Sequence, residues 1–133
     1  MKILGIMSGS SMDGLDIAFC EFTEKPDKMD FKILKSSTVP FDDELKSRLQ
    51  NIRKFSAEEL VTLDVDFGLF TGNAVNHFIT KHQLTQVDYI ASHGHTAFHN
   101  PAKGYSTQIG KGAQIASITG ISTITDFRSL DVA

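Results

Sequence analysis

The chain opens on two short apolar runs separated by a cluster of small and polar residues. Residues 3–7 (ILGIM) and 15–22 (LDIAFCEF) read as strands, and Ser8-Gly9-Ser10-Ser11-Met12-Asp13-Gly14 between them reads as the turn of a hairpin. A polar turn over 23–30 precedes a third strand over 31–39, where Phe31, Ile33 and Val39 share one parity and therefore one face. Pro40 ends that strand, and Asp42 is placed to cap a short helix with Leu45, Leu49 and Ile52 along one side. Ser56 and Glu59 match a capping box. The long helix that follows carries Leu60, Leu63, Phe67, Phe70, Ala74 and Phe78 at three- and four-residue spacing and runs to about Lys81. Gly68 and Gly72 weaken it by about 1 kcal/mol each relative to Ala unless something packs closely there. A buried strand over 87–91 then runs into Ser92-His93-Gly94-His95-Thr96, which is expected to be a loop. A short strand over 106–109, a short helix over 112–118 with Gly120 as its C′ residue and a last strand over 121–125 complete the pattern. That strand ends at Asp126, and a loop is expected beyond it.

The order is β-β-β-α-α-β-(β)-α-β. Three antiparallel strands come first, then helices alternating with strands that pair in parallel. This predicts an α/β fold of ribonuclease-H-like type, the half-domain of actin-like ATPases and kinases: a mixed sheet with an N-terminal antiparallel meander and flanking helices. The turn over 8–14 can bare backbone N–H groups and hydroxyls to an anion. It is not a P-loop, because no Lys follows the second Gly and a strand comes next. An N-terminal hairpin able to hold phosphate is how sugar kinases of the actin and hexokinase type begin. An ordinary exposed turn is the alternative.

Composition narrows the partners. The 133 residues fit one domain, with 41% hydrophobic and 22% charged residues. A net charge of −3 with no basic run argues against nucleic acid. The single Cys20 excludes a disulfide framework and a multi-cysteine metal site. His93, His95 and His99 alternate like metal ligands, but Gly94 and the spacing fit a loop better, so no protein metal site is expected. No apolar run approaches the length of a membrane span, and Met1-Lys2 leads straight into a strand without a signal peptide. A cytoplasmic location without membrane contact is therefore expected.

Five segments together resemble the anhydro-N-acetylmuramic acid kinase family. Gly9-Ser10-Ser11-Met12-Asp13-Gly14-Leu15-Asp16 is similar to its GTSLDGVD segment, and Ser92-His93-Gly94-His95-Thr96 to its SHGQT, with His99 and Pro101 matching the HxP that follows. Thr107-Gln108-Ile109-Gly110 resembles LQIG. Thr119-Gly120-Ile121, then Asp126-Phe127-Arg128 and Asp131-Val132-Ala133, resemble TGI…DFRxxDVA. Ser10, Met12, His95 and Thr107 depart from the Thr, Leu, Gln and Leu of these motifs.

The resemblance implies a kinase that uses ATP and Mg²⁺ to open the 1,6-anhydro ring of anhydro-N-acetylmuramic acid and phosphorylate O6. The product would be N-acetylmuramic acid 6-phosphate, in cell-wall recycling. It implies further that residues 1–133 form one N-terminal lobe, that the C-terminal lobe is absent and that the isolated lobe is inactive. The full-length protein could be a homodimer. Gly9 to Asp16 would then hold the ATP phosphates, with Asp13 and Asp16 placing Mg²⁺ through water. His93, Gly94, His95, Thr96 and Arg128 would bind the sugar. Asp131 would be the base that activates water, with Asp126 its rival. Gly14 is expected at positive φ, letting the γ-phosphate approach the backbone. A lobe that binds phosphate or sugar without turnover, and another actin-fold sugar or acetate kinase, remain as alternatives.

Overall fold

A computed structural model describes residues 1–132. Ala133, which closes the Asp131-Val132-Ala133 motif, lies outside them. β1 (Lys2–Ser8), β2 (Gly14–Lys25) and β3 (Lys28–Pro40) form an antiparallel meander. α1 (Asp43–Asn51), a 3-10 turn (Ile52–Lys54) and α2 (Ala57–Lys81) follow. β4 (Tyr89–Asn100), a second 3-10 turn (Pro101–Lys103), β5 (Tyr105–Ile109), α3 (Gly112–Thr119), β6 (Thr123–Ile124) and α4 (Phe127–Val132) complete the chain. The sheet runs β3-β2-β1-β4-β5, with β6 also on β4. β4 is parallel to β1 and β6 and antiparallel to β5. This is the mixed α/β sheet that the element order predicts.

The capping residues act as their chemistry requires. Asp42 accepts from the Leu45 N–H at 2.7 Å, and Ser56 and Glu59 exchange both capping-box bonds. Gly120 ends α3 in the left-handed region at φ 69°. Leu4, Ile6, Leu15, Ile17 and Phe19 of the sheet meet Leu49, Leu63, Phe67, Val75, Phe78 and Ile115 of the helices in one core. The glycines of α2 have the close neighbour that their helix cost demands. A Cβ on Gly68 would lie 2.8 Å from the Lys111 carbonyl oxygen, and one on Gly72 would lie 3.0 Å from the Ile118 side chain.

Four expectations change. Residues 23–30 are not a broad turn: β2 and β3 close tightly on Pro26-Asp27, and Lys25 and Lys28 both pair with Asp30. Phe31, Ile33 and Val39 do not share a face. The β2–β3 register steps from Phe19↔Lys35 to Cys20↔Ile33, so Leu34 is bulged and the side-chain alternation inverts there. Val39 packs against the core, whereas Phe31 and Ile33 are exposed on the opposite face, where Phe31 stacks on Phe22. The Ser92–Thr96 motif is not a loop but the middle of β4, because β1 continues to pair on one side and β5 takes up the other. Finally, β6 is only two residues long, and the segment after Asp126 forms α4 rather than a loop.

Gly68→Ala should therefore destabilise the protein although it raises helix propensity. The propensity gain of about 1 kcal/mol is outweighed by an overpacking cost of about 1–3 kcal/mol against a backbone carbonyl. Urea unfolding is expected to show a lower midpoint, and an unchanged or raised midpoint would mean that α3 yields freely.

Candidate functional site

The parallel strands β1, β4 and β6 deliver three motif segments to one edge of the sheet, the arrangement by which open α/β sheets build ligand sites at strand C-termini. At the end of β1 the turn is closed by the Met12 N–H donating to the Gly9 carbonyl at 3.3 Å. Met12 sits at φ 54°, a left-handed conformation that costs a side-chain-bearing residue about 1–3 kcal/mol and concentrates at functional turns. The Ser11 hydroxyl donates to Asp13 Oδ1 at 2.5 Å. That bond, and after it the backbone N–H of Asp13, hold the exposed Asp13 carboxyl below the usual carboxylate range. Asp16 accepts from the Thr38 hydroxyl at 2.5 Å.

Gly14 is not at positive φ, contrary to expectation. It opens β2 directly, and a Cβ there would lie 2.6 Å from the Val39 carbonyl oxygen of β3. Its glycine is required by the close approach of two strands. The positive φ of the turn belongs to Met12.

The turn borders a cleft of about 540 Å³ also lined by Arg53, His93, His95, Thr96 and Arg128. The three histidines of β4 each use Nδ1 on a different partner: His93 on the Gly94 carbonyl at 3.1 Å, His95 on Ser8 Oγ at 2.9 Å, and His99 on Ser106 Oγ at 3.0 Å. His95 is buried, and burial followed by the nearby His93 pushes its pKa below the usual histidine value. Gly94 sits at φ 74°, and a Cβ there would meet the Ile109 carbonyl oxygen at 2.4 Å, so β5 could not pair beside any other residue. Arg128 Nε is shielded from water yet makes no hydrogen bond. The nearest carboxylate oxygen in its ion pair, Oδ2 of Asp131, is 3.7 Å away.

The two candidate bases are separated. Asp126, at φ 64°, accepts from the Ser129 hydroxyl and borders a smaller depression of about 200 Å³ with Asp64, Ser92, His93 and Lys111. Asp131 lies on α4 with its side chain 72% exposed and lines neither hollow. His93 borders both hollows. Two contributors escape sequence reasoning. Asp64 projects from α2 to accept the Gly110 N–H at 2.7 Å, fixing the β5–α3 connection, and Arg53 stands at the rim of the cleft. An Arg after a short helix reads as an ordinary dipole partner, so nothing in the pattern marks Arg53. Asp64, flanked by Leu63 and Phe67, is a carboxylate beside a buried stripe, a faint signal.

Oxygen ligands suit a hard cation, and Mg²⁺ commonly takes only one or two carboxylates beside phosphate and water. Asp13 lies on the turn, whereas Asp16 lies on β2, where it accepts from Thr38 and borders a hollow with Met7, Ser37 and Phe127 instead of the cleft. Among the described residues no cluster of three or more His, Cys, Asp or Glu is close enough to cage a metal, and no helix is long and apolar enough to cross a membrane.

A family model for anhydro-N-acetylmuramic acid kinase matches residues 1–133. Proteins named anhydro-N-acetylmuramic acid kinase from Pseudoalteromonas translucida, Synechococcus elongatus and Microcystis aeruginosa are 37%, 35% and 35% identical to this chain, over 98%, 100% and 100% of its length. The matched region is 36% of each relative, so the chain spans about a third of their length. With the match running through the turn, the β4 motif and the strand-end Asp126, the chain belongs to the anhydro-N-acetylmuramic acid kinase family.

Proposed function

We propose that this chain supplies the N-terminal lobe of an ATP-dependent kinase that opens the 1,6-anhydro ring of anhydro-N-acetylmuramic acid and phosphorylates O6. The observation that carries the reading is the convergence at one cleft of a strained Ser/Gly turn, two arginines and the β4 motif. The turn offers hydroxyls and backbone N–H groups to the ATP phosphates, much as anion nests do. Arg53 and Arg128 supply positive charge for the transferring phosphoryl group or the acidic substituent of the sugar. The unpartnered Nε of Arg128 supports the second role for that residue, because a shielded donor gains most from an anion. Bound Mg²⁺, held by Asp13, would neutralise phosphate charge.

Ring opening needs a carboxylate to take a proton from the attacking water. Asp131 has the motif match in its favour, together with its contact to Arg128. Asp126, the rival, borders a hollow with His93 just beyond the end of β6. His93, Gly94 and Thr96 then face the sugar, and the lobe opposite closes the site against water.

In the complete polypeptide, sugar phosphate formed from ATP and the anhydro-sugar should be detected by mass, and its absence under saturating ligands would remove the reading. Asp131→Asn should lower turnover by about two to four powers of ten with both ligands still bound, while Asp126→Asn should lower it much less. The reverse ranking would move the base to Asp126. Full activity in both variants would put the base in the part of the relatives that this chain does not match.

A further inference from the structure

His95 lines the cleft, yet its surroundings are those of a structural group. It is 3% exposed, its ring centroid lies 6.1 Å from that of Phe67 on α2, and Nδ1 is 2.9 Å from the Ser8 hydroxyl. Ser8 is itself 3% exposed and is the last residue of β1, so the next residue, Gly9, begins the turn. The backbone ladder is interrupted at this point. The β1–β4 register steps from Ile6↔Ser92 to Ser8↔His95, leaving Met7 opposite two residues of β4. The Ser8–His95 bond ties the strand end where ladder bonds are fewest.

We propose that His95 is a positioning residue for the turn over residues 9–14: by holding the Ser8 hydroxyl it sets where β1 hands over to the turn, and it makes that position sensitive to pH. The effect on nucleotide affinity rests on the phosphate-binding reading above, but the positioning itself does not. A neutral ring takes the Ser8 hydroxyl proton on Nδ1 or donates to its oxygen, depending on tautomer. An imidazolium can only donate, so protonation fixes the bond in one sense and adds charge. The groups facing His95 are Ser8 on β1, His93 on its own strand, Phe67 on α2 and its pairing neighbour Ile109 on β5. Arg53 after α1 and Arg128 on α4 share its cleft, and no carboxylate lines it. Asp64 and Lys111 border only the adjoining hollow. Burial and His93 make the folded protein bind that proton less readily than the unfolded chain. The stability this gives is complete above the ordinary histidine pKa of about 6.5 and falls as the pH drops below it. Glutamine, the residue of the family motif at this position, can bond Ser8 without titrating.

The test is an NMR titration of the nucleotide-free protein between about pH 8 and 5, following the His95 ring and the amides of residues 9–14. The turn amides should move with the midpoint of the His95 ring, stay flat in His95→Gln, and still move in His93→Gln. Mg·ATP affinity should fall about tenfold in Ser8→Ala and in His95→Leu, with the double variant no weaker than either, as expected for one shared interaction. In His95→Gln it should stay near the unsubstituted value and lose its decline at acid pH. Turn amides that ignore the His95 titration, or losses that multiply in the double variant, would overturn the proposal. Ser8→Ala, which removes a single oxygen, decides the affinity arm if His95→Leu does not fold. If the unsubstituted protein binds no Mg·ATP while its turn amides follow the ring, the phosphate-binding reading fails and the positioning role stands.

Discussion

The parallel pairing of β1 with β4 is the constraint on which the site depends. It is pinned at both ends. At the start, Asp88 accepts from the Lys2 N–H at 2.7 Å while its own N–H donates to the Lys2 carbonyl at 2.8 Å. At the far end, Ser8 and His95 are joined through their side chains. Between these pins every side chain of β1 has an assigned face, because a one-residue slip would turn Leu4 and Ile6 out of the core. Parallel strands end at the same edge, so fixing this register also fixes that the turn and the β4 motif meet.

The helical layer serves the same edge. Gly68 and Gly72 let α3 approach α2 closely, and Asp64, one turn before Gly68, reaches the Gly110 N–H from there. The connection from β5 into α3 is thus set by α2 rather than by its own sequence. β6 follows α3 and ends beside β4, which brings Asp126 to the second hollow. On the opposite face of the sheet Met7, Phe31, Ile33 and Tyr89 are exposed, and Phe127 of α4 borders a hollow there with Met7, Asp16, Ser36 and Thr38. Strands in parallel pairing are ordinarily covered on both faces.

Charge is divided across the site. The cleft at the turn has arginines at its rim and no carboxylate in its lining, whereas the smaller hollow has Asp64 and Asp126. His93 belongs to both. Lys111 stands beside the two carboxylates in the smaller hollow.

Local rules decided much of this protein. The apolar periods located the strands and the long helix, Ser56 with Glu59 and Asp42 set helix starts, and Gly120 set a helix end, because caps and amphipathic spacing act over a few residues. The five motif segments carried the family. Tertiary structure decided what depends on partners distant in sequence. The bulge at Leu34 turned Phe31 and Ile33 to the face opposite Val39, an inversion that parity along one strand cannot reveal. The histidine motif became strand because β1 and β5 offered it edges, despite a glycine at positive φ. Gly14 proved necessary for the approach of β3, and Arg53 acquired significance only beside the turn. Register, face and cleft are properties of pairs of segments, and the spacing within one segment does not contain them.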